Sequence, residues 1–299
     1  MPNRPDAYTA KYFVLGFLAA FLVLAVGFLF LISASQTPVS PRAEAVAEMD
    51  AAPPPQYQPS EDDALTLVVF GTQRANNVAS TFILLRFDPV RGDIGVAVLP
   101  PGTVISNEDE GETLAHAFSF GGAIYTRDML ADFLDIPIDR FARISVANFI
   151  TAAAAVGSIE FDIAQELTIH DGNLPVTLSA GRHLLDGRQI AALIQYENYP
   201  GGEMQRADIT AQLVSAAINQ RIDIVDSTLA DRIFETVINL VDTDITFADF
   251  ERRRNAARMM SGAGGEIARI LTLQGQFSPD GARFILSDTA KASIALMFL

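Results

Sequence analysis

Hydrophobic and polar positions follow three regimes along the chain. From Tyr12 to Ile32, 21 residues pass without a charge and are dense in Phe, Leu, Val and Ala. A helix rising about 1.5 Å per residue carries such a stretch across the roughly 30 Å hydrocarbon core of a bilayer. Because this segment is apolar all round, it has no face for water, which argues against a buried core helix. Over residues 33–61 the pattern dissolves. Pro38, Pro41, Pro53, Pro54, Pro55 and Pro59 stand among Ala, Ser, Gln and acidic residues, a composition that predicts a semi-extended spacer.

From residue 62 to 299 the periodicities are those of a folded domain. The run Leu65 to Phe70, ended by Gly71, predicts a buried strand. Thr81 to Phe87 and Ile94 to Leu99 predict two more, joined by the turn Asp88-Pro89-Val90-Arg91-Gly92. A helical pair is expected over 112–118 and 124–134, a strand over 141–146, a short helix over 148–155 and a strand over 159–163. Apolar residues at three- and four-residue intervals predict helices over 187–196, 203–221, 229–240 and 247–260. Strands over 267–273 and 282–286 precede a last helix. The mixture predicts an α/β domain, a mixed sheet covered by helices, after a single N-terminal transmembrane helix. No internal repeat is present.

Charge adds direction to this plan. Arg4 and Lys11 precede the apolar stretch, and no basic residue follows until Arg42. The positive-inside rule then puts residues 1–11 in the cytoplasm and the domain outside, in a single-pass protein of the cell membrane. The competing reading is a cleaved signal peptide ending near Ser33-Ala34-Ser35, but cleavable signals carry apolar runs of only about 7–15 residues. The net charge is -15, and only Arg4, Lys11 and Asp6 precede residue 35, so the exported part carries -16. That balance excludes non-specific nucleic-acid binding. Lys11 and Lys291 are the only lysines, so any anion chemistry here would be arginine chemistry. Cysteine is absent, which excludes disulfides and thiolate metal sites.

A series of landmarks then falls in a familiar order. Gly71 with Arg74 is followed by Ser80-Thr81, Phe87-Asp88-Pro89, Leu99-Pro100 and Thr103. Leu114-Ala115-His116-Ala117-Phe118 leads to Gly121-Gly122, then Leu134-Asp135-Ile136-Pro137 and Gly157. Ser179-Ala180-Gly181-Arg182-His183-Leu184-Leu185-Asp186-Gly187-Arg188-Gln189 is the longest match, followed by Ala191 and Glu203-Met204-Gln205-Arg206. In this order and spacing the chain resembles the LytR-CpsA-Psr cell-envelope family from about residue 64 to its end. The resemblance implies a transferase that attaches polyprenyl-pyrophosphate-linked glycopolymers to peptidoglycan. Arginines and a carboxylate-bound magnesium ion would hold the pyrophosphate, and an apolar tunnel the lipid. Positioning and charge neutralisation are what phosphoryl transfer needs.

The chain departs from that pattern where the charges belong. The family's Arg-Ser-Asp-Thr is Val78-Ala79-Ser80-Thr81, and its Pro-Arg-Asp-Thr is Pro100-Pro101-Gly102-Thr103. Gln195 and Glu197 stand where arginines are expected. The ligand-binding candidates left are Arg74, Glu203 and Arg206, with no catalytic residue and no metal ligand assigned. Each has a plain alternative: Arg74 as a solvated loop residue, Arg206 as the partner of Glu203 or Glu197, Glu203 as a stabiliser of a helix N-terminus. The expectation is therefore an envelope protein with a degenerate site that binds a polyprenyl or glycan ligand, or an envelope partner, without catalysis and without a cofactor. The alternatives are an active phosphotransferase, which would need magnesium, and a purely structural protein.

Weaker signals have bland readings. Gly262-Ala263-Gly264-Gly265 lacks the Lys-Ser/Thr of a phosphate-binding loop and reads as a turn. Arg252, Arg253, Arg254 and Arg258 read as a solvated helix face. His116, His170 and His183 lack metal-ligand spacing, and no serine-hydrolase elbow occurs.

Overall fold

The computed structural model describes residues 57–73, 78–106, 111–171, 174–226 and 230–299, and the side chains of 170, 171, 174, 225 and 226 are left aside. The expected transmembrane segment, most of the spacer and Arg74 lie outside the described residues. Among those described, no helix is long and apolar enough to cross a membrane.

At the centre is β1 (Leu65–Thr72), flanked by β2 (Ala79–Asp88) and β4 (Arg140–Ser145). Beyond β2 lie β3 (Asp93–Leu99) and β10 (Ala268–Ile270), and beyond β4 lies β9 (Asp242–Thr243). The order is β10-β3-β2-β1-β4-β9. β1 runs antiparallel to β2 and parallel to β4, so the sheet is mixed. Successive side chains on a strand point to opposite faces, so a strand covered on both sides must be apolar throughout. Leu65, Leu67 and Val69 enter one core and Val68 and Phe70 the other, which is why Leu65 to Phe70 is apolar but for the buried Thr66, whose hydroxyl accepts from Arg86 at 3.1 Å.

Among the described residues, the helices that cover the first face are α2 (Val146–Ala153), α3 (Gly187–Gln195), α4 (Gly202–Arg221), α5 (Ala230–Ile238) and α6 (Phe247–Ala263). The second face is covered by α1 (Leu114–Leu134) and α7 (Asp288–Phe298), with Phe70, Phe82 and Phe118 packed together between the layers. The expected helical pair over 112–134 is present as the two segments of α1, which meet at a kink at Gly122, whose φ of 72° is closed to ordinary helical residues.

Among the described residues, three two-stranded sheets sit outside the main one. β5 (Ile159–Ile163) pairs with β8 (Gly181–Leu185), β6 (Leu167–Asp171) with β7 (Leu174–Leu178), and β11 (Gly275–Phe277) with β12 (Phe284–Leu286). Asp186 caps α3 by accepting from the Gln189 N–H, while the Gln189 amide reaches back to the Asp186 N–H. Gly187 lets α3 approach α2, since a Cβ there would stand 2.5 Å from that of Ala153. The Asp186-Gly187-Arg188-Gln189 landmark is thus a helix start and a close helix crossing.

Packing of the domain reaches back to Tyr57. The Tyr57 hydroxyl donates to Asp63 at 2.6 Å, Arg252 pairs with Asp62 at 3.1 Å, and Arg253 donates to the Ala64 carbonyl at 3.0 Å. This corrects the reading of 252–258 as a solvated face, because Arg253 and Arg254 are buried. Burial brings the Arg254 guanidinium down to about 10, with Arg258 adding to the shift. After Ala263, Gly264 and Gly265 both take positive φ and form the expected turn.

The same helix holds a strong ion pair. Arg140 grips Asp249 through Nε and Nη2 at 2.9 Å each, and Thr246 donates to the same carboxylate from its backbone and hydroxyl. Burial alone would raise the Asp249 carboxyl, but these donors outweigh it and hold the group below the usual range. A group lowered on folding stabilises fully above its unfolded pKa, and that stability fades as pH falls through the folded value. Asp249→Asn should therefore cost about 1–3 kcal/mol near neutral pH. The gap between variant and parent should close below about pH 4, which urea titrations at neutral and acid pH would read.

Candidate functional site

The site lies at the end of the sheet where β1 and β4 finish side by side, the usual ligand position for parallel pairs in α/β sheets. β1 is irregular there, with a register shift between Gly71 and Thr72 against β2. Gly71 faces Thr81 so closely that a Cβ would come within 2.9 Å of the Thr81 Cβ. Opposite, Ser145 caps α2 by accepting from the Asn148 N–H at 3.2 Å, which turns the chain sharply out of β4. α3 closes the space with its last turn.

The resulting cleft is narrow, enclosing about 30 Å³ and open to solvent, between Gly71, Ser80 and Thr81 on one side and Ile144, Val146, Phe149, Ala191, Ile194 and Gln195 on the other. Its walls are almost wholly apolar, and the Gln195 amide donates to the Ala191 carbonyl at 3.1 Å. A second, tighter crevice enclosing about 10 Å³ shares the Ser80-Thr81 wall and runs between Leu99-Pro100-Pro101 and the first turns of α4.

Arg206 and Glu203 meet in that crevice. Arg206 is only 8% exposed. Its Nε donates to Glu203 at 3.2 Å, its Nη1 to the Ile194 carbonyl at 3.4 Å, and its Nη2 to both Glu203 and the Ser80 carbonyl, the latter at 3.2 Å. One planar group therefore ties the start of β2, the end of α3 and the start of α4 together. Most of its donors are already spent on the protein itself. Arg74, the third candidate, lies outside the described residues, and no described contact links Arg206 to Glu197.

The loop after β3 explains one departure from the family pattern. Gly102 is pressed against the segment leading into β12, where a Cβ would lie 2.3 Å from the Ala282 carbonyl oxygen. The Phe284 N–H donates to the Gly102 carbonyl at 2.7 Å and fixes that approach. A carboxylate at 102 cannot be restored without moving residues 282 and 283. Thr103 Oγ1 donates to the Pro100 carbonyl at 2.7 Å and serves the turn.

Magnesium takes an octahedron of oxygens and relies on one or two protein carboxylates besides phosphate and water. Among the described residues lining cleft and crevice, Glu203 is the only carboxylate, and Arg206 already holds it. No group of three His, Cys, Asp or Glu side chains that could hold a metal occurs among the described residues. These residues do not fit the magnesium site that the resemblance implies.

The lining residues Ile144, Val146, Phe149, Ala191 and Ile194 are not legible as a site in sequence. They come from three separate elements, and each reads as ordinary core in its own helix or strand.

Comparison with known proteins now bears on this geometry. The model of the LytR_cpsA_psr family matches residues 30–289. The chain belongs to the LytR-CpsA-Psr family. A curated relative, the polyisoprenyl-teichoic acid–peptidoglycan teichoic acid transferase TagU of Bacillus subtilis, is 24% identical over 194 residues. The match covers 63% of this chain and 62% of that protein, so the chain spans less than two thirds of the relative's length. Bacillus subtilis TagV superposes with a TM-score of 0.67 at 19% identity, covering 80% of this chain and 97% of TagV. A TagT structure bound to LIIa-WTA superposes at 0.62 with 16% identity, covering 79% of this chain and 90% of the other. At such identities the superpositions establish the fold, a central mixed sheet between helices.

Proposed function

We propose that this LytR-CpsA-Psr protein is anchored in the cell membrane with its domain outside, and that the domain takes up the polyprenyl end of a lipid-linked envelope glycan and holds it without transferring it. The observation that carries the proposal is the apolar cleft at the end of β1 and β4. Burying hydrocarbon stabilises by about 25 cal/mol per Å², so an isoprenoid chain gains affinity from such walls without any charge. The TagU relative is named for a polyisoprenyl-linked polymer, and TagT has been seen with LIIa-WTA, which supports the same ligand class here.

The second part of the proposal rests on what surrounds the cleft. A pyrophosphate needs several opposing charges at close range. Arg206 is the one cationic side chain lining cleft or crevice among the described residues, and it is committed to Glu203, Ser80 and Ile194. The polar residues beside the cleft, Ser80, Thr81 and Gln195, are all neutral, and the Gln195 amide is engaged by the Ala191 carbonyl. A working transferase is the second reading, favoured by the relationship to TagU.

The test is equilibrium binding of a polyprenyl pyrophosphate to the full chain in lipid nanodiscs. Saturable binding of equal strength with magnesium and with a chelator is expected. Binding that requires magnesium, or none at all, would contradict the reading.

A further inference from the structure

Helix α1 carries an unusual surface. From Leu114 to Thr126 it runs 13 residues without Asp, Glu, Lys or Arg, in a chain of net charge -15. Leu114, Ala117 and Phe118 fill the core beneath. Above them the helix breaks at Gly122, and the corner is left to water: Phe120 is 75% exposed and Ile124 56%. Among the described residues, Tyr125 packs on Phe120, edge-on at 5.6 Å.

This ridge borders the mouth of the site. The Leu114 and Ala115 N–H groups donate to Thr103 and Pro101, both at 2.9 Å, and Pro101 lines the crevice. Val78, half exposed, lies at the same end of the sheet, one residue before β2. The chain enters the domain at the other end of β1, near Tyr57 and Asp63. Eight strand residues at roughly 3.3 Å each separate the two ends by about 26 Å. The entry end also shows apolar side chains, Leu296 and Leu299, but Arg91 and Arg86 clasp their carbonyls.

We propose that Phe120 and Ile124 form a wedge that enters the interface of the outer leaflet, so that the cleft faces the bilayer while the tether joins the domain from its far side. This rests on the polyprenyl reading, since only a cleft turned toward the membrane receives a lipid-borne ligand directly. An acidic domain is repelled by anionic headgroups, and this helix segment carries no carboxylate of its own, the neighbouring Glu112 being engaged by the Tyr125 hydroxyl at 3.2 Å and by His116 at 3.4 Å. An exposed aromatic beside apolar side chains is the usual interfacial contact. The length of chain outside the structure permits the inverted pose. Residues 33–56 span at most about 80 Å when extended, ample to pass along a domain whose two ends lie about 26 Å apart.

The absence of cysteine makes the test clean. Phe120→Cys and Leu296→Cys each introduce one thiol, at sites of similar exposure at opposite ends of the sheet. The full chain, labelled with a nitrobenzoxadiazole probe, is reconstituted into phosphatidylethanolamine–phosphatidylglycerol vesicles that carry a headgroup-level nitroxide lipid and no polyprenyl lipid. The probe at 120 should be quenched several-fold more strongly than the probe at 296. In a Leu296→Cys chain that also carries Ile124→Ser and Phe120→Ser, the probe at 296 should gain quenching while the melting temperature stays unchanged. Equal quenching at both sites, or stronger quenching at 296, would overturn the wedge. Loss of the quenching difference with polyprenyl pyrophosphate binding intact would sink the wedge alone. A quenching difference that survives without such binding would uphold the wedge and sink the polyprenyl reading.

Discussion

Arg206→Ala is expected to lower the melting temperature by about 5–15 °C, a loss of roughly 2–4 kcal/mol. The side chain is nearly buried and serves three elements at once. Truncation leaves the Ser80 and Ile194 carbonyls without their donor and Glu203 without its cation, and each orphaned buried group costs on the order of 1–3 kcal/mol. Glu203 is 36% exposed on its side chain and recovers part of its hydration, which keeps the total below the upper limit for a broken buried pair. Arg206→Lys should recover little, because a single ammonium cannot reach Glu203 and two carbonyls in the plane of the lost fork. Thermal denaturation of the three proteins checks this. A melting temperature within about 1 °C of the parent would mean that the guanidinium is held in reserve for a ligand, and the clamp would be wrong.

Val146→Trp is expected to weaken polyprenyl pyrophosphate binding at least about tenfold, because the indole occupies the space the isoprenoid would fill. A tenfold loss corresponds to about 1.4 kcal/mol, and excluding even two methylene groups from an apolar wall is worth roughly that much. Val146 is half-buried at the first turn of α2, with its side chain on the cleft wall, so a larger residue can turn into the opening without displacing the sheet. The melting temperature should change by no more than about 3 °C, which separates occlusion from unfolding. Unchanged affinity in a folded variant would place the lipid elsewhere.

How far the sequence reveals this protein differs between its layers. The central strands are legible because β1 is buried on both faces, and its apolar run allows few other states. The long helices are legible because each buries one stripe against the sheet. β6, β7 and β8 give no such signal, since each is five residues long and pairs in a two-stranded ribbon. Arg253 and Arg254 mislead because an arginine run normally means water. Here Asp249, Asp231 and Glu251 lie close enough for the helix to be buried.

The candidate site divides in the same way. Glu203 and Arg206 are three residues apart on one helix, so their meeting is legible, as is the absence of a carboxylate at 102. What the sequence cannot convey is that Ala282 presses on Gly102, or that Ile144, Val146, Ala191 and Ile194 enclose one space. Those contacts join residues far apart in the chain, and only the packing of helices on the sheet creates them.

The central claim is that the cleft holds its ligand without transferring it, and a transfer assay tests it most directly. The full chain in nanodiscs is given a radiolabelled polyprenyl-pyrophosphate-linked glycan, a peptidoglycan acceptor and magnesium, and released polyprenyl phosphate is measured over time. Binding with no release above the protein-free control is the predicted result. Magnesium-dependent release that disappears in Glu203→Ala would contradict it and make this chain a transferase.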